Sequence, residues 1–472
     1  MLRFKGRFKG FAQRTHSIVE PTPFLPSDRC PHDLWRSPVD QRLIREDLFE
    51  FFNDTTEPDS PLFRLAIHDA RDAFHLKSKV RMLHLKEVFE QPLEIWSRSP
   101  GLPWRDLGYK TKDDVRRDPH AILKVRKFWH LVKHNDAIDP PDSCAFVRAH
   151  VVQRPELKVR AVWGYPATVT FGEAVFALPL IRAYQRGGSP IAYGFETGAA
   201  GFSKLRSVLK GNSYCGIDFS KFDKTVPSWL IRLAFYILAD NIDFKNYEGY
   251  GVAEPTCMWR MYEYIMDYFV NTTIRLANGD RWQKSSGIAS GSYFTQLIGS
   301  VCNYILLRWF CYEAGVTVDG ILVFGDDSLL ATRTPIDLDV FASMAEKVGM
   351  HINLEKSGVS QFLDRLRFLG FYVNHGMPLK PRNEWLASLY FPENPDKTWD
   401  DVASRALGLY YANQGVDEYI SDLCASIVHL RPFDVQLSHS MRKMLSVCGH
   451  TLDKIGPDLP SKIEFLYRMK VL

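Results

Sequence analysis

Residues 320–330 read Gly-Ile-Leu-Val-Phe-Gly-Asp-Asp-Ser-Leu-Leu. Two short apolar runs flank Gly325-Asp326-Asp327, which predicts a β-hairpin carrying two acids at its tip. Adjacent carboxylates repel each other, and a tip between apolar strands is a costly place for them. Turns do favour Asp and Gly, so taken alone this tripeptide reads better as an ordinary solvated turn.

A second acid changes the weighing. Residues 213–218 read as a short buried strand ending in Asp218, where an acid is disfavoured unless a cation meets it. Two strand-end acids brought together make a site for a divalent cation. Hard oxygen ligands suit Mg²⁺, which keeps waters and binds substrate phosphates. Two such ions ~4 Å apart can activate an attacking hydroxyl and stabilise a leaving oxygen in phosphoryl transfer. The same acids suit a nuclease or a phosphatase. Asp223 follows after the chain has left the strand. There it can accept a hydrogen bond from a ribose 2′-hydroxyl, although an exposed Asp after a strand is the plainer reading. Pro227 then opens a helix through Trp229, Ile231 and Phe235.

Ser286–Thr295 is rich in Gly and Ser, a loop where backbone can approach a ligand closely. A buried helix follows over Leu297–Trp309, and Thr295 and Asn303 share a general side of it, roughly 80° apart. Residues 145–163 read as two extended runs around a polar turn at Arg154–Leu157. Lys158 and Arg160 share a strand face by period two, and with Arg148 they offer cations for a triphosphate. Charged residues on an exposed hairpin explain the same pattern.

Composition excludes some classes. Net charge is only +4, so nucleic-acid binding rests on local clusters: Arg3, Lys5, Arg7, Lys9 and Arg14, and the cations of residues 105–133. The 8 cysteines have no zinc-knuckle spacing and fit free thiols in a reduced compartment. The basic N-terminus lacks an apolar secretory core, and no run is apolar enough to span a bilayer. The expectation is a soluble protein of two or three interleaved lobes.

In chain order these elements resemble the motifs of viral RNA-dependent RNA polymerases. Lys158-x-Arg160 resembles motif F, Asp218 and Asp223 motif A, and Ser290-Gly291 with Thr295 and Asn303 motif B. Gly325-Asp326-Asp327 resembles motif C, Lys356 the general acid of motif D, and Arg367–Phe371 the turn of motif E. Ser99-Pro100-Gly101 resembles motif G, which lies along the template strand. The match is closer to partitiviruses, through Pro100–Trp104, Lys158–Pro166, Asp218–Pro227, Ser290–Gln296 and Gly408–Asn413, and at 472 residues to their shorter, plant-infecting members. In one place the chain departs: many such polymerases carry Asn four residues after the motif B Thr, where this chain has Gly299.

The resemblance implies an α+β right-hand fold of fingers, palm (an antiparallel sheet with helices) and helical thumb. It places an N-terminal extension bridging fingers and thumb at residues 1–95, interleaved fingers and palm at 96–376, and the thumb at 377–472. It implies template-directed RNA synthesis with two Mg²⁺ or Mn²⁺ ions held by Asp218 and Asp326, assisted by Asp327. Lys158, Arg160 and Arg148 would hold the triphosphate, Asp223 with Thr295, Ser290, Gly291 and Asn303 the nucleotide, and Lys356 would protonate pyrophosphate. Implied partners are RNA template and product, ribonucleoside triphosphates and a viral capsid protein, with no membrane. The implied location is the virion interior and host cytoplasm. Two other classes stay open. A reverse transcriptase would place a bulky aromatic where Asp223 stands. A non-catalytic RNA-binding or capsid protein would leave three buried or near-buried acids without a purpose.

Overall fold

The computed structural model describes residues 2–13, 20–195 and 200–472; Arg14, the last of the N-terminal cations, lies outside them. Its centre is an antiparallel sheet in the order Val318–Phe324, Asp327–Thr332, Ser213–Gly216, Gly358–Ser360. Phe324 pairs directly with Asp327, so the hairpin loop is only Gly325 and Asp326. Gly325 has φ +66°, and Asp326 is not left-handed: the φ pattern of a II′ turn, which matches the twist of the flanking strands. The tip therefore carries one acid rather than two, and Asp327 begins the return strand.

Helices cover the sheet. Thr295–Glu313 runs four residues beyond the expected span at its C-terminal end and is buried nearly all round, as its apolar residues on every side require. Its Ile298, Val301 and Ile305 join Ile217, Phe219, Val323 and Leu330 in one core with Ala167–Gln185, Ser228–Ala239 and Pro255–Val270. Each such side chain contributes about 1.5–3 kcal/mol by burial. The helix Leu338–Glu346 ends just before Gly349, which lies in the left-handed region (φ +69°).

A second sheet runs Arg3–Arg7, Asp280–Gln283, Thr273–Arg275, Ser143–Ala149, Val159–Gly164. The basic N-terminus is thus an edge strand, tied by Arg7 to Asp280 at 2.7 Å. The C-terminal part is helical, with Trp399–Asn413, Glu418–Leu430 and Lys462–Arg468 closing a separate core around Val402, Leu407, Leu423 and Phe465.

The first 95 residues are not one extension. Pro61–Ala73 packs on Thr295–Glu313, with Phe63 against Trp309 at 5.4 Å and Asp69 bonded to Arg308 and Tyr312. Residues 20–36 run between the two ends of the molecule. Leu34–Arg36 pairs with Val151–Gln153, Arg36 donates to the carbonyls of Ala149 (2.7 Å) and Phe391 (3.1 Å), and Thr22 N–H donates to Tyr390 O at 2.8 Å. Among the described residues no helix is long and apolar enough to cross a membrane.

Candidate active site

Where the central sheet meets the outer one lies a cavity of about 420 Å³, whose lining includes Asp218, Asp223, Asp326, Lys158, Arg160 and Lys356. Six residues chosen from sequence, spread over some 200 positions, thus share one wall.

Local structure explains each placement. The strand Ser213–Gly216 breaks before Asp218, whose backbone is pinned by Ser357 Oγ (3.0 Å to its N–H) and by Asn353 N–H (2.8 Å to its carbonyl). Phe219–Ser220 then pairs with His351–Ile352, and the turn after that strand brings in Lys356. Lys221, at φ +55°, turns the chain into the short helix Phe222–Thr225 that holds Asp223. Arg148 and Arg160 are direct partners across the outer sheet.

Among the described residues, no hydrogen bond or ion pair reaches the carboxylates of Asp218, Asp223 or Asp326. Burial raises the pKa of Asp218; Lys356 opposes the shift and Asp326 adds to it. Burial also raises Asp223, against the pull of Arg160. Asp327 is pushed up to about 7 by burial and then by Asp326 and Asp218, while Arg367 and the Leu369 N–H oppose. Leu369 and Gly370, both at positive φ, form the turn between Arg367–Phe368 and Phe371–Tyr372, so that hairpin supports Asp327 from behind. Lys158 is lowered by burial and by its neighbours Lys356 and Arg160. Carboxylates that repel one another, with no protein donor, are a standing demand for cations.

The donor set is all oxygen, which fits Mg²⁺ or Mn²⁺. No group of three or more His, Cys, Asp or Glu among the described residues encloses a metal by itself. Mg²⁺ is generally held by one or two carboxylates, with waters and substrate phosphates completing its shell.

Several expected residues serve other roles. Asn303 is fully buried, and its amide donates to the carbonyls of Gly325 and Asp326 at 3.0 Å each. Its amide fixes the acidic turn; helical spacing gave its side of the helix but not what packs there. Gly299 is explained by the same packing, since a Cβ there would lie 3.3 Å from Gly325 Cα. Thr295 gives its hydroxyl to Ala289 O at 2.8 Å. Arg148 pairs with Glu393 at 3.1 Å and lines a different, smaller cavity. Ser290 accepts from Trp163 N–H at 3.3 Å, and a Cβ on Gly291 would meet Trp163 O at 1.8 Å. Pro100 and Gly101 are buried against residues 165–167, leaving Ser99 partly exposed.

Other participants escaped sequence reading. Leu43, Glu46 and Asp47 from the helix Gln41–Phe49, with Glu50 that caps it, line the cavity. Asp47 and Glu50 both grip Lys224, next to Asp223, and Asp47 also accepts from Ala161 N–H at 2.7 Å. Asn53 donates to the carbonyls of Thr225 (2.6 Å) and Val348 (2.7 Å). No local signal marks such residues, because their partners lie more than 100 positions away.

Comparison with known proteins agrees with this geometry. Residues 85–430 match the family described as viral RNA-dependent RNA polymerase. The RNA-directed RNA polymerase of Atkinsonella hypoxylon virus is 27% identical over 327 residues, covering 60% of this chain and 49% of that protein. That of Cryptosporidium parvum virus 1 is 25% identical over 448 residues, covering 86% of this chain and 80% of that one. That of white clover cryptic virus 1 is 26% identical over 291 residues, covering 54% and 46%. The chain thus spans about half the length of the first and third of these relatives.

Proposed function

The chain belongs to the viral RNA-dependent RNA polymerase family, and from that premise we propose that its cavity carries out template-directed RNA synthesis from ribonucleoside triphosphates. The fold is the right hand of that family: the antiparallel sheet and its helices form the palm. We assign fingers and palm to residues 96–376, the helical thumb to 377–472, and the bridging part of the N-terminal segment to residues 20–36.

The observation that carries the reading is one wall holding three unpartnered carboxylates beside three cations. Two divalent ions, Mg²⁺ or Mn²⁺, held by Asp218 and Asp326 would activate the 3′-hydroxyl and neutralise charge at the α-phosphate and the departing pyrophosphate. Asp327 supports that pair from the return strand. Lys158 and Arg160 bind the triphosphate. Asp223 accepts a hydrogen bond from the ribose 2′-hydroxyl, which selects ribonucleotides. Lys356 is placed to give a proton to pyrophosphate. Ser290, Gly291 and Ser99 line the template path through their loops. Catalysis is positioning and charge neutralisation rather than covalent chemistry. We further propose RNA template and product as partners, gripped in a salt-dependent and sequence-blind way. The same reading adds a viral capsid protein, with work in the virion interior and host cytoplasm.

Incorporation of radiolabelled ribonucleotides on a single-stranded RNA template tests this. Product from wild type, only with Mg²⁺ or Mn²⁺, and none from Asp326→Ala is the expected result. Equal product from both proteins would remove Asp326 from the mechanism. RNA binding without synthesis under either metal, with primer and capsid protein supplied, would favour a binding protein.

A further inference from the structure

Two ionisable side chains are buried outside the lining of the cavity. Lys112 is 5% exposed and Glu173 is fully buried. Lys112 Nζ donates to the carbonyls of Ser99 (2.6 Å) and Tyr165 (3.2 Å). Glu173 accepts from Ser292 Oγ (2.6 Å) and from Tyr293 N–H (2.9 Å). The lysine therefore holds the 99–104 loop, and the glutamate holds the end of the glycine-rich loop that opens the helix Thr295–Glu313.

Between them lies the segment 163–167, and both loops press on it. Ala167 N–H donates to Pro100 O at 2.7 Å, and Trp163 N–H donates to Ser290 Oγ at 3.3 Å. A Cβ at Gly101 would stand 2.6 Å from Tyr165 O, as one at Gly291 would stand 1.8 Å from Trp163 O. Both glycines are needed because backbone meets backbone on each side of this segment. Burial favours the neutral form of both groups, and the field of each partner opposes that shift. Burying two such groups costs several kcal/mol that an apolar pair would not. What they give in return is direction: their bonds to Ser99 O, Tyr165 O and Tyr293 N–H fix main-chain atoms, which packing alone leaves free to slide.

We infer that Lys112 and Glu173 are a positioning pair that locks the 99–104 loop and the 286–294 loop to one strand end, so that both move as a unit when RNA advances by a nucleotide. The inference rests on the polymerase reading, and it separates advance of the template from the first bond made.

The test uses the full chain on a preannealed primer–template. First-nucleotide addition and later additions are timed for wild type, Glu173→Gln, Lys112→Met and Ser292→Ala. The readout is the ratio of later to first rates. A merely structural role lowers the fraction of active enzyme and leaves that ratio unmoved. We expect the ratio to fall at least fivefold in Glu173→Gln and Lys112→Met. Ser292→Ala, which removes one hydroxyl and keeps the buried pair, should show about a twofold fall. If the two core variants do not fold, the Ser292→Ala ratio decides. Unchanged ratios overturn the inference while leaving the polymerase reading intact. Failure of wild type to add any nucleotide overturns both.

Discussion

The acidic hairpin and the anchor beneath the two loops use charge in opposite ways. Asp218 and Asp326 face an open cavity with no donor among the described residues on their carboxylates. Glu173 is sealed from water, with a hydroxyl and a main-chain N–H already on it. The first arrangement keeps coordination sites free for something that arrives; the second uses them up in holding the chain. Charge alone therefore does not mark chemistry in this protein, and the saturation of its hydrogen bonds is the better guide.

The sharpest way to break that contrast is Asp218→Asn. Loss of an open carboxylate should lower ribonucleotide incorporation at least ~10³-fold, about 4 kcal/mol in barrier. The melting temperature should hold or rise, since Asp218 and Asp326 repel each other. A variant that melts early but keeps its rate would place Asp218 among the structural acids. Next comes Lys224→Met, which takes the cation from buried Asp47, while Glu50 keeps Lys221 at 2.8 Å. Breaking a buried ion pair costs about 3 kcal/mol or more, visible as a lower unfolding midpoint; a midpoint equal to wild type would mean the cluster is solvated in solution. Asn303→Leu removes both bonds to the Gly325-Asp326 turn and should cost about 2 kcal/mol. It should also weaken the metal dependence of synthesis, and wild-type stability together with wild-type metal response would return Asn303 to the nucleotide.

Acidity sharpens the comparison further. Burial lifts the Glu173 carboxyl to about 8, so the folded chain keeps a proton that the unfolded chain has lost. Between about pH 5 and 7 the native state binds more protons, and stability falls as pH rises. Lys112, lowered to about 7, stays largely charged in both states below that value. Glu173→Gln removes this slope and should gain about 1–2 kcal/mol on wild type across that window. Parallel melting curves would mean Glu173 is ionised throughout. The smallest effect belongs to Arg148→Ala: the nucleotide KM should change less than about twofold while Arg160→Ala raises it about tenfold. Equal changes would bring Arg148 back into the triphosphate site.

Much of the open site was legible in sequence because strand and turn chemistry are local. The hairpin tip at Asp326 and the strand end at Asp218 could be placed without a structure, but those acids and Asp223 were singled out by the order of the motifs and the family resemblance, since each alone reads as an ordinary turn or exposed acid. The saturated sites were not legible. Glu173 is the one charge in the apolar run 167–180, which marks it as buried but not what it holds; Lys112, between polar neighbours, reads as a surface residue, and only folding brings Ser292 and Ser99 to them. The bonds of Asn303 to the acidic turn were hidden for the same reason, because its helix packs on the hairpin through a bare glycine at 299. The N-terminal 95 residues carried the least signal, since their short helices gain meaning only against partners such as Arg308 and Lys224.

The segment 20–36 links two regions of the molecule. It is hydrogen-bonded to Ala149 and the 151–153 strand at one end and to Tyr390 and Phe391 at the other. A single guanidinium, that of Arg36, bonds the outer sheet at Ala149 and the C-terminal part at Phe391, so a displacement of either region is handed to the other through one side chain.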